Sequence, residues 1–283
     1  YFCIHQELMK DFLLIGQIST TKLNHHERDD HVVFDEGPHM YTVDGDSSFI
    51  SCTTWIHSHF SKFDPEPVID KILSSKKMND PNYKYYNMTR EQIREMWSSN
   101  EASLLGTKMH YDIECYYNGL TVQNDSIEYS YFLKFLKDYS NLKAYRTEWI
   151  VYDKELELAG SIDMVFKDEN DEYWVYDWKR SKEISTEAYG KRSLTPCIGH
   201  LPDVNFYHYS LQLNVYRTLL ETKYGLKVKG MCLVRLHPNN YFHTYERIEV
   251  PFLTNEVQAL FEHRKNQIKE RKVAAIAATE NTE

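Results

Sequence analysis

The sequence predicts an α/β or α+β fold, with a central mixed β-sheet flanked by helices. Three observations predict it. From Glu101 onward, segments with helical and strand-like periodicity follow in the order helix, helix, three strands, helix, strand, strand, helix. Hydrophobic residues make up 42% of the 283 residues, which is enough for a full core. No long tract of Pro, Ser or Gly marks a linker, so we expect one domain with an N-terminal elaboration.

The N-terminal elaboration, residues 1–100, is predicted to hold a hairpin and then mainly helices. Residues 31–43 alternate around a Glu-Gly-Pro turn, which is typical of a β-hairpin. Residues 51–60 are predicted to form a helix that begins at Ser or Thr caps. Residues 68–97 have helical periodicity interrupted by an Asp-Pro pair, which indicates two or more helices outside the core.

The core is predicted to occupy residues 101–252. Its helices are expected at 101–117, 127–139 and 205–224, with glycine just after the first and third. Its strands are expected near 145–152, 157–167, 172–179, 229–237 and 243–250. The last part, residues 253–283, is predicted to be a polar helix that ends near residue 272, followed by a solvated tail.

The formal net charge of -9 argues against a protein whose main task is coating nucleic acid, because phosphate binding requires clustered Lys and Arg. An enzyme that acts on nucleic acid is not excluded, since it needs only a local basic track and bound metal ions add positive charge. We call the candidate residues the basic track: Lys179, Arg180, Lys182, Lys191 and Arg192.

The five cysteines are odd in number, scattered and never in a C-x-x-C pair, so neither a disulfide framework nor a zinc knuckle is indicated. We expect a reducing, intracellular compartment (cytoplasm, nucleus or a virus-infected cell) and no secretion. No membrane span is expected, because the apolar run at 12–15 is too short to cross a bilayer. The first residue is Tyr1 rather than Met, which indicates a segment of a longer polypeptide.

Two acidic residues in the predicted hairpin carry the functional argument. If the strands at 157–167 and 172–179 pair about Asn170, Asp163 lies opposite Asp177. Two like charges so placed repel unless a cation neutralises them, and Mg²⁺ accepts carboxylate oxygens. The flanking residues are apolar or small, so both carboxylates are expected to be partly buried. The alternative is a surface Asp-x-Lys on an acidic hairpin.

Lys179 lies two residues beyond Asp177 and therefore projects from the same face of the strand. An ammonium there can orient or deprotonate an attacking water, or balance charge on a pentavalent phosphate. A metal, a water and a lysine at one strand end suit phosphodiester hydrolysis.

The helix predicted at 101–117 places Gly106, His110 and Glu114 on one stripe, because residues four apart are neighbours. The imidazole and the carboxylate are both competent metal ligands, and we favour ligation over a core histidine. Glu148, on the first of the three strands, is either a further ligand or a paired charge at the sheet edge.

Gln212 and Tyr216 lie one turn apart on the helix that follows the three strands. Aimed together, they can hold a phosphate oxygen or a water without adding charge. The alternative is a core tyrosine with a glutamine at its margin.

Together these residues resemble the RecB-type branch of the PD-(D/E)xK nucleases, and are similar to lambda exonuclease and the mitochondrial genome-maintenance exonuclease. The resemblance covers roughly residues 106–216 and rests on four elements in family order, which are G-x-x-x-H-x-x-x-E, G-S-I-D, D-W-K and Q-x-x-x-Y. It implies a restriction-endonuclease-like core and a Mg²⁺- or Mn²⁺-dependent nuclease. It also implies an exonuclease that acts on DNA in replication, recombination or repair.

The resemblance also implies roles for individual residues. Metal ligation falls to His110, Asp163, Asp177 and the backbone carbonyl of Trp178. Glu114 is implied to support a second metal or its waters, and Lys179 to be the catalytic lysine. Gln212 and Tyr216 are implied to touch DNA or to order the site. Contact with nucleic acid is also expected from Ser161 and from the basic track.

Some relatives hold an iron-sulfur cluster with one cysteine before the core and three close together after it. This chain lacks the group of three, so no iron-sulfur cluster is expected. Two alternatives stay open. One is an RNA endonuclease of the cap-snatching type, and the other is a catalytically silent nucleic-acid-binding module on the same fold.

Overall fold

The computed structural model describes residues 19–98 and 101–280. Within these ranges the helices are α1 (Thr20–Leu23), α2 (Cys52–His57), α3 (Glu66–Leu73), α4 (Arg90–Ser98), α5 (Glu101–Tyr117), α6 (Ile127–Asp138), α7 (Asn205–Lys223) and α8 (Thr254–Glu280). The strands are β1 (Val32–Asp35), β2 (Met40–Val43), β3 (Asp46–Ser51), β4 (Lys143–Asp153), β5 (Leu158–Lys167), β6 (Tyr173–Lys179), β7 (Val228–Arg235) and β8 (Glu246–Glu249). The predicted α/β fold with a mixed sheet flanked by helices is confirmed.

Strand β5 organises the sheet. One of its edges pairs antiparallel with β4 along nearly the whole strand. Its other edge is shared, since β3 pairs with it in parallel at Leu158 and Ala159, and β6 pairs with it antiparallel from Met164 onward. The sheet continues through β7, parallel to β6, and ends at β8, antiparallel to β7.

The N-terminal residues contribute directly to this sheet. The predicted hairpin is formed by β1 and β2, and β3 joins it to β5. Strand β3 was not expected, because only Phe49 and Ile50 are apolar in it and its partner strands decide its conformation. Helix α2 follows directly and is capped by Ser51, whose side chain accepts a hydrogen bond from the backbone N–H of Thr54. A domain boundary near residue 100 stays a prediction.

Helices cover both faces of the sheet. On one face, α7 packs with α2 and α8, and its buried residues include Leu211, Val215 and Leu219. On the other face, α5 and α6 bury Met109, Phe132 and neighbouring rings against β5 and β6. The ends of β5 and β6 therefore lie between two helical layers.

Residues 64–98 form the predicted helical arm, with its own small apolar cluster around Ile69, Ile72 and Ile93. Helix α8 runs eight residues past the predicted end near 272, and its Ala-rich second half explains this, because alanine has the highest helix propensity. Within the described ranges, no helix combines the length and the hydropathy that a bilayer crossing needs.

Candidate active site

The two predicted aspartates lie where β5 and β6 part. Met164 pairs with Tyr176 at the end of this ladder, and one step further the same register places Asp163 opposite Asp177. The register predicted from the turn about Asn170 is therefore confirmed. Beyond the last pair, the backbone N–H of Trp178 donates to Oδ2 of Asp163 at 2.9 Å, so the acidic side chain spans the gap between the strands.

Three side chains from three elements form a group that fits a divalent metal ion. His110 comes from α5, Glu148 from β4 and Asp163 from β5, and their ligand atoms all lie within 4.8 Å of one another. Nδ1 of His110 is 3.4 Å from Oδ2 of Asp163 and 3.9 Å from Oε1 of Glu148. One imidazole and two carboxylates are a donor set that divalent cations accept in proteins.

Glu148 reaches this group through an unusual backbone conformation. The pairs Thr147–Met164 and Trp149–Ile162 flank it, so Glu148 lies opposite Asp163 in the β4–β5 register. Its φ is +42°, in the left-handed region, which costs a residue with a Cβ about 1 to 2 kcal/mol. The side chain is held by Ser161, whose hydroxyl donates to Oε2 at 2.8 Å. Strain of this kind is common at functional sites.

Asp177 and Lys179 form the second part of the site. Nζ of Lys179 is 2.6 Å from Oδ2 of Asp177 and lies 4.6 Å from the ring centre of Tyr209 on α7. Asp177 is 3% exposed, and its Oδ2 makes no hydrogen bond of good geometry within the described chain. The sequence predicted a cation held between Asp163 and Asp177. In the structure, the closest group of potential ligands instead joins Asp163 with Glu148 and His110, and Asp177 contacts Lys179.

The sequence model of the PD-(D/E)XK nuclease superfamily matches residues 118–282, which is more than half of the chain. The chain belongs to the PD-(D/E)XK nuclease superfamily. The match includes Glu148, Asp163, Asp177 and Lys179, whereas His110 precedes it and is placed at the site by the structure.

Among solved structures, the crystal structure of SSO0001 is 14% identical to this chain. The similarity covers 79% of this chain and 77% of that one, with a TM-score of 0.33. A TM-score this low establishes no common fold, so the superfamily assignment rests on the sequence match. The comparison with curated proteins gives no match.

The charges of this nuclease-superfamily site are strongly coupled. Burial alone would lower the pKa of His110, but Asp163 and Glu148 outweigh it and raise that pKa to about 9. Burial, with Asp163 nearby, raises the pKa of Asp177 to about 6 although Lys179 opposes the change. The pKa of Asp163 is raised as well, first by burial and then by Glu148, against the opposing effect of His110. Excess negative charge on partly buried carboxylates is what a bound cation relieves.

Glu114, one turn after His110 on α5, lies close to the same group. Burial raises the pKa of its carboxyl to about 8, and the charges of Glu148 and Glu36 add to this while His110 opposes it. Glu114 is not among the three ligand atoms within 4.8 Å of one another. Its support of a second metal or of metal-bound waters stays a prediction.

Gln212 and Tyr216 meet as the helical spacing indicated. Nε2 of Gln212 donates to the hydroxyl oxygens of Tyr216, at 3.1 Å, and of Thr53, at 2.9 Å. Tyr216 is only 2% exposed, so it lies beneath the site and offers no surface to a ligand as large as nucleic acid. Gly160 makes room for it, since a Cβ there would come within 2.8 Å of the tyrosine ring and hydroxyl.

The basic track is only partly available to a substrate. Arg180 forms an ion pair with Glu128 on α6, with Nε and Oε1 2.7 Å apart and both side chains mostly buried. Lys182 and Lys191 are exposed. Arg192 is exposed too, although its guanidinium donates to the backbone carbonyl of His200 at 2.6 Å.

Sequence reasoning left Glu148 open and did not find Tyr209, which contacts the ammonium of Lys179. A usable signal for Tyr209 existed, because it lies three residues before Gln212 on the same helix. No sequence signal gives the left-handed backbone of Glu148. The expected role of the Trp178 carbonyl stays a prediction, as do nucleic-acid contacts by Ser161 and Gln212.

Proposed function

We propose that the chain is a Mg²⁺- or Mn²⁺-dependent deoxyribonuclease of the RecB-type branch, and an exonuclease that acts in replication, recombination or repair. The observation that carries the proposal is the grouping of His110, Glu148 and Asp163 beside the Asp177–Lys179 pair. Membership of a nuclease superfamily supports the activity, and the grouping supports the dependence on a divalent metal.

In this proposal, His110, Glu148 and Asp163 hold the metal ion, and the backbone N–H of Trp178 fixes the orientation of Asp163. A bound divalent ion polarises a phosphoryl oxygen and lowers the pKa of a coordinated water. Glu148 is itself fixed by the Ser161 hydroxyl. Preorganisation of this kind is what a catalytic metal site requires.

Lys179 acts as an ammonium in this proposal. Burial would lower its pKa, but Asp177 and Asp163 outweigh burial and raise the pKa above its ordinary value. A lysine that stays protonated donates hydrogen bonds and does not serve as a general base. Its role is therefore to orient the attacking water or to stabilise the negative charge that develops on the phosphate.

The preference for DNA rests on the resemblance of the Q-x-x-x-Y motif to the RecB-type branch. The hydrogen bond between Gln212 and Tyr216 supports a shared role of the two residues in ordering the site. His110 in the metal grouping keeps an RNA endonuclease of the cap-snatching type as a second candidate, because that group also places a helix histidine before its D…D-x-K core. A silent binding module is disfavoured, since the three potential ligands and Lys179 are all in place.

The test is cleavage of matched, internally labelled DNA and RNA strands, with Mg²⁺, with Mn²⁺ and with EDTA. We expect DNA to be cleaved with either metal, no cleavage in EDTA, and loss of cleavage in Lys179→Ala. Lys227→Ala serves as the matched control and is expected to retain activity, because Lys227 is an exposed lysine just before β7, at the opposite end of the β6–β7 pair from Lys179. Cleavage of RNA alone selects the second candidate, and metal-independent or Lys179-independent cleavage refutes the proposal.

A further inference from the structure

The loop that follows Lys179 has an unusual turn at its tip. The backbone N–H of Lys191 donates to the carbonyl of Ala188 at 2.9 Å, which closes a four-residue turn around Tyr189 and Gly190. Both central residues have positive φ, +43° at Tyr189 and +87° at Gly190. Asn or Gly normally fills the first of these positions, because a bulky residue is strained there. Tyr189 is therefore held where local conformation disfavours it.

Tyr189 is also the most exposed large hydrophobic residue of the described chain, at 96%. Its side chain makes no hydrogen bond, ion pair or ring contact with the residues that the structure describes. Several other exposed aromatic rings have partners. Tyr241 and Phe242 contact each other, with ring centres 5.0 Å apart. Neither the packing nor the turn therefore accounts for a tyrosine at position 189.

The base of this loop is fixed next to the site. The backbone N–H of Ser185 donates to the side chain of Asn205 at 2.9 Å, and that side chain donates to the carbonyl of Glu183 at 2.8 Å. On the other leg, the N–H of Asp203 donates to the carbonyl of Lys191 at 3.0 Å. Only five residues separate these two anchored points, so the tip has little freedom to move away.

The surroundings of the ring indicate the chemistry of its ligand. Lys191 and Arg192 follow it directly and are exposed, which suits a phosphate backbone. The loop runs from Lys179 at the end of β6 to α7, the helix of Tyr209 and Gln212, and thus borders the proposed site. An exposed ring next to basic side chains, on a loop that begins and ends at elements of the proposed site, matches the way single strands are bound, by stacking of bases and by electrostatic contacts to phosphates.

We infer that Tyr189 is a stacking platform for an unpaired nucleobase of the substrate, which makes a single strand or a frayed end the preferred ligand. This inference rests on the proposed nuclease function. Stacking buries the free ring and contributes about 1 to 3 kcal/mol per base. Among the aromatic rings near the N-terminus, Trp55 and Phe60 do not offer this alternative, since they are 2% and 3% exposed. Phe63 is 72% exposed, but its ring contacts that of Trp97.

The test uses the full chain with Lys179→Ala, so that binding is measured without cleavage. Tyr189→Asn removes the ring and keeps the turn, because Asn is favoured at positive φ. The probes are a labelled DNA strand of about 12 nucleotides, the same strand without bases, and the same strand in a blunt duplex. Fluorescence anisotropy in Ca²⁺ gives the Kd of each, and thermal unfolding confirms that each variant folds.

We expect Tyr189→Asn to weaken binding of the normal strand about 5- to 150-fold, the equivalent of about 1 to 3 kcal/mol for one stacked base. Tyr189→Phe should bind within about twofold of the parent, since it retains the π-face. The strand without bases should bind equally to Tyr189→Asn and to its parent. Tyr241→Ala, which removes an exposed ring from the β7–β8 loop, should leave every Kd unchanged.

An equal affinity of Tyr189→Asn and its parent for the normal strand overturns the inference, and so does an equal loss on the strand without bases. A loss confined to the duplex overturns the preference for an unpaired base. The proposed function fails separately, because it is refuted by cleavage assays on the chain with Lys179 intact, whereas stacking is read from binding alone.

Discussion

Glu148 lies opposite Asp163 across the β4–β5 pair and adopts a left-handed backbone there, with φ of +42°. This conformation is unfavourable for glutamate, whereas glycine or asparagine adopts it more easily. The ligand atoms of the two carboxylates and of His110 nevertheless lie within 4.8 Å of one another. Backbone strain and charge repulsion therefore coincide at Glu148, as is expected of a residue that binds a ligand.

Removal of the Glu148 charge should therefore weaken metal binding. We predict that Glu148→Gln lowers the affinity for Mn²⁺ at least about tenfold, because one anionic ligand of the group is lost. The readout is the rise in Tm on addition of Mn²⁺, which depends on affinity. Glu169→Gln, at an exposed carboxylate in the β5–β6 turn, is the control and should respond as the parent does. An undiminished response in Glu148→Gln would exclude it as a ligand.

Glu148→Gly separates strain from ligation. The glycine relieves about 1 to 2 kcal/mol of strain in the folded state. Its greater conformational freedom in the unfolded chain offsets about 0.5 to 1 kcal/mol of this gain in stability. Without metal, the free energy of unfolding should be unchanged or slightly raised, and the Mn²⁺ response should be lost. A large loss of stability in EDTA would instead show that Glu148 has a structural role.

The stability of the metal-free protein should depend on pH with a defined sign. Glu114 has an ordinary pKa of 4.5 and a folded pKa of about 8, raised by burial and then by Glu148. Between these values the folded state holds a proton that the unfolded state has released, so the free energy of unfolding falls as pH rises from about 4.5 to about 8. His110 acts in the same direction, from its ordinary 6.5 to about 9.

The measurement is the Tm in EDTA across about pH 5 to 9, by circular dichroism. We expect the Tm to fall from about pH 6.5 to 9, above the range in which buried histidines such as His59, whose pKa is lowered by burial, take up a proton on unfolding. The fall should be smaller in Glu114→Gln, which carries no titratable group there. Addition of Mn²⁺ should stabilise more at high pH than at low pH, because the metal binds the deprotonated ligands. A Tm that rises between about pH 6.5 and 8, or an unchanged slope in Glu114→Gln, contradicts this account.

Local rules explain why much of the fold could be predicted. Helix α5 ends at Tyr117 as its following Asn-Gly pair indicates, and the turn about Asn170 sets the β5–β6 register. Features that depend on distant partners could not be predicted in this way. The Arg180–Glu128 pair joins residues 52 apart, and it removes from the basic track an arginine that sequence alone leaves available.

The site itself shows the same division. The alternation of a strand places Asp177 and Lys179 on one face, and the structure shows their side chains in contact. Glu148 depends on a φ angle that no sequence pattern encodes, so its role stayed open. Tyr189 was missed because turn rules favour Asn at its position, and the departure from the rule is visible only when the backbone is known.

The contact between Gly160 and Tyr216 should be intolerant of a methyl group. An added Cβ would lie 2.8 Å from the ring and hydroxyl of Tyr216 and 3.2 Å from Cβ of Cys52. These neighbours are buried and cannot withdraw, so we predict that Gly160→Ala lowers the free energy of unfolding by about 1 to 3 kcal/mol. Denaturant unfolding measures this change.

Gly106→Ala is the matched control, because a Cβ there meets nothing within 4 Å. It lies inside α5, where alanine is preferred to glycine by about 0.8 to 1 kcal/mol, so stability should rise. If cleavage nevertheless falls in Gly106→Ala, the glycine serves the approach of the substrate. A Gly160→Ala variant as stable as the parent would show that Tyr216 is free to shift.

The basic track should divide into one structural and several binding residues. Lys191 is exposed at the loop beside Tyr189, and we predict that Lys191→Ala reduces the salt dependence of DNA binding by about one unit in the slope of log K against log salt. Affinity should fall to a similar extent for every DNA sequence, since a phosphate contact reads no base. Titrations at several salt concentrations, in the Lys179→Ala background, give the slope.

Arg180→Ala should behave in the opposite way. Its loss leaves Glu128 mostly buried without a counter-charge, so we expect a decrease of about 1 to 3 kcal/mol in the free energy of unfolding and no change in the salt slope. The two variants each remove one positive charge, so net charge cannot account for a difference between them. A reduced salt slope in Arg180→Ala would mean that DNA breaks the ion pair and uses the arginine, and an unchanged slope in Lys191→Ala would place the phosphate path elsewhere on the protein.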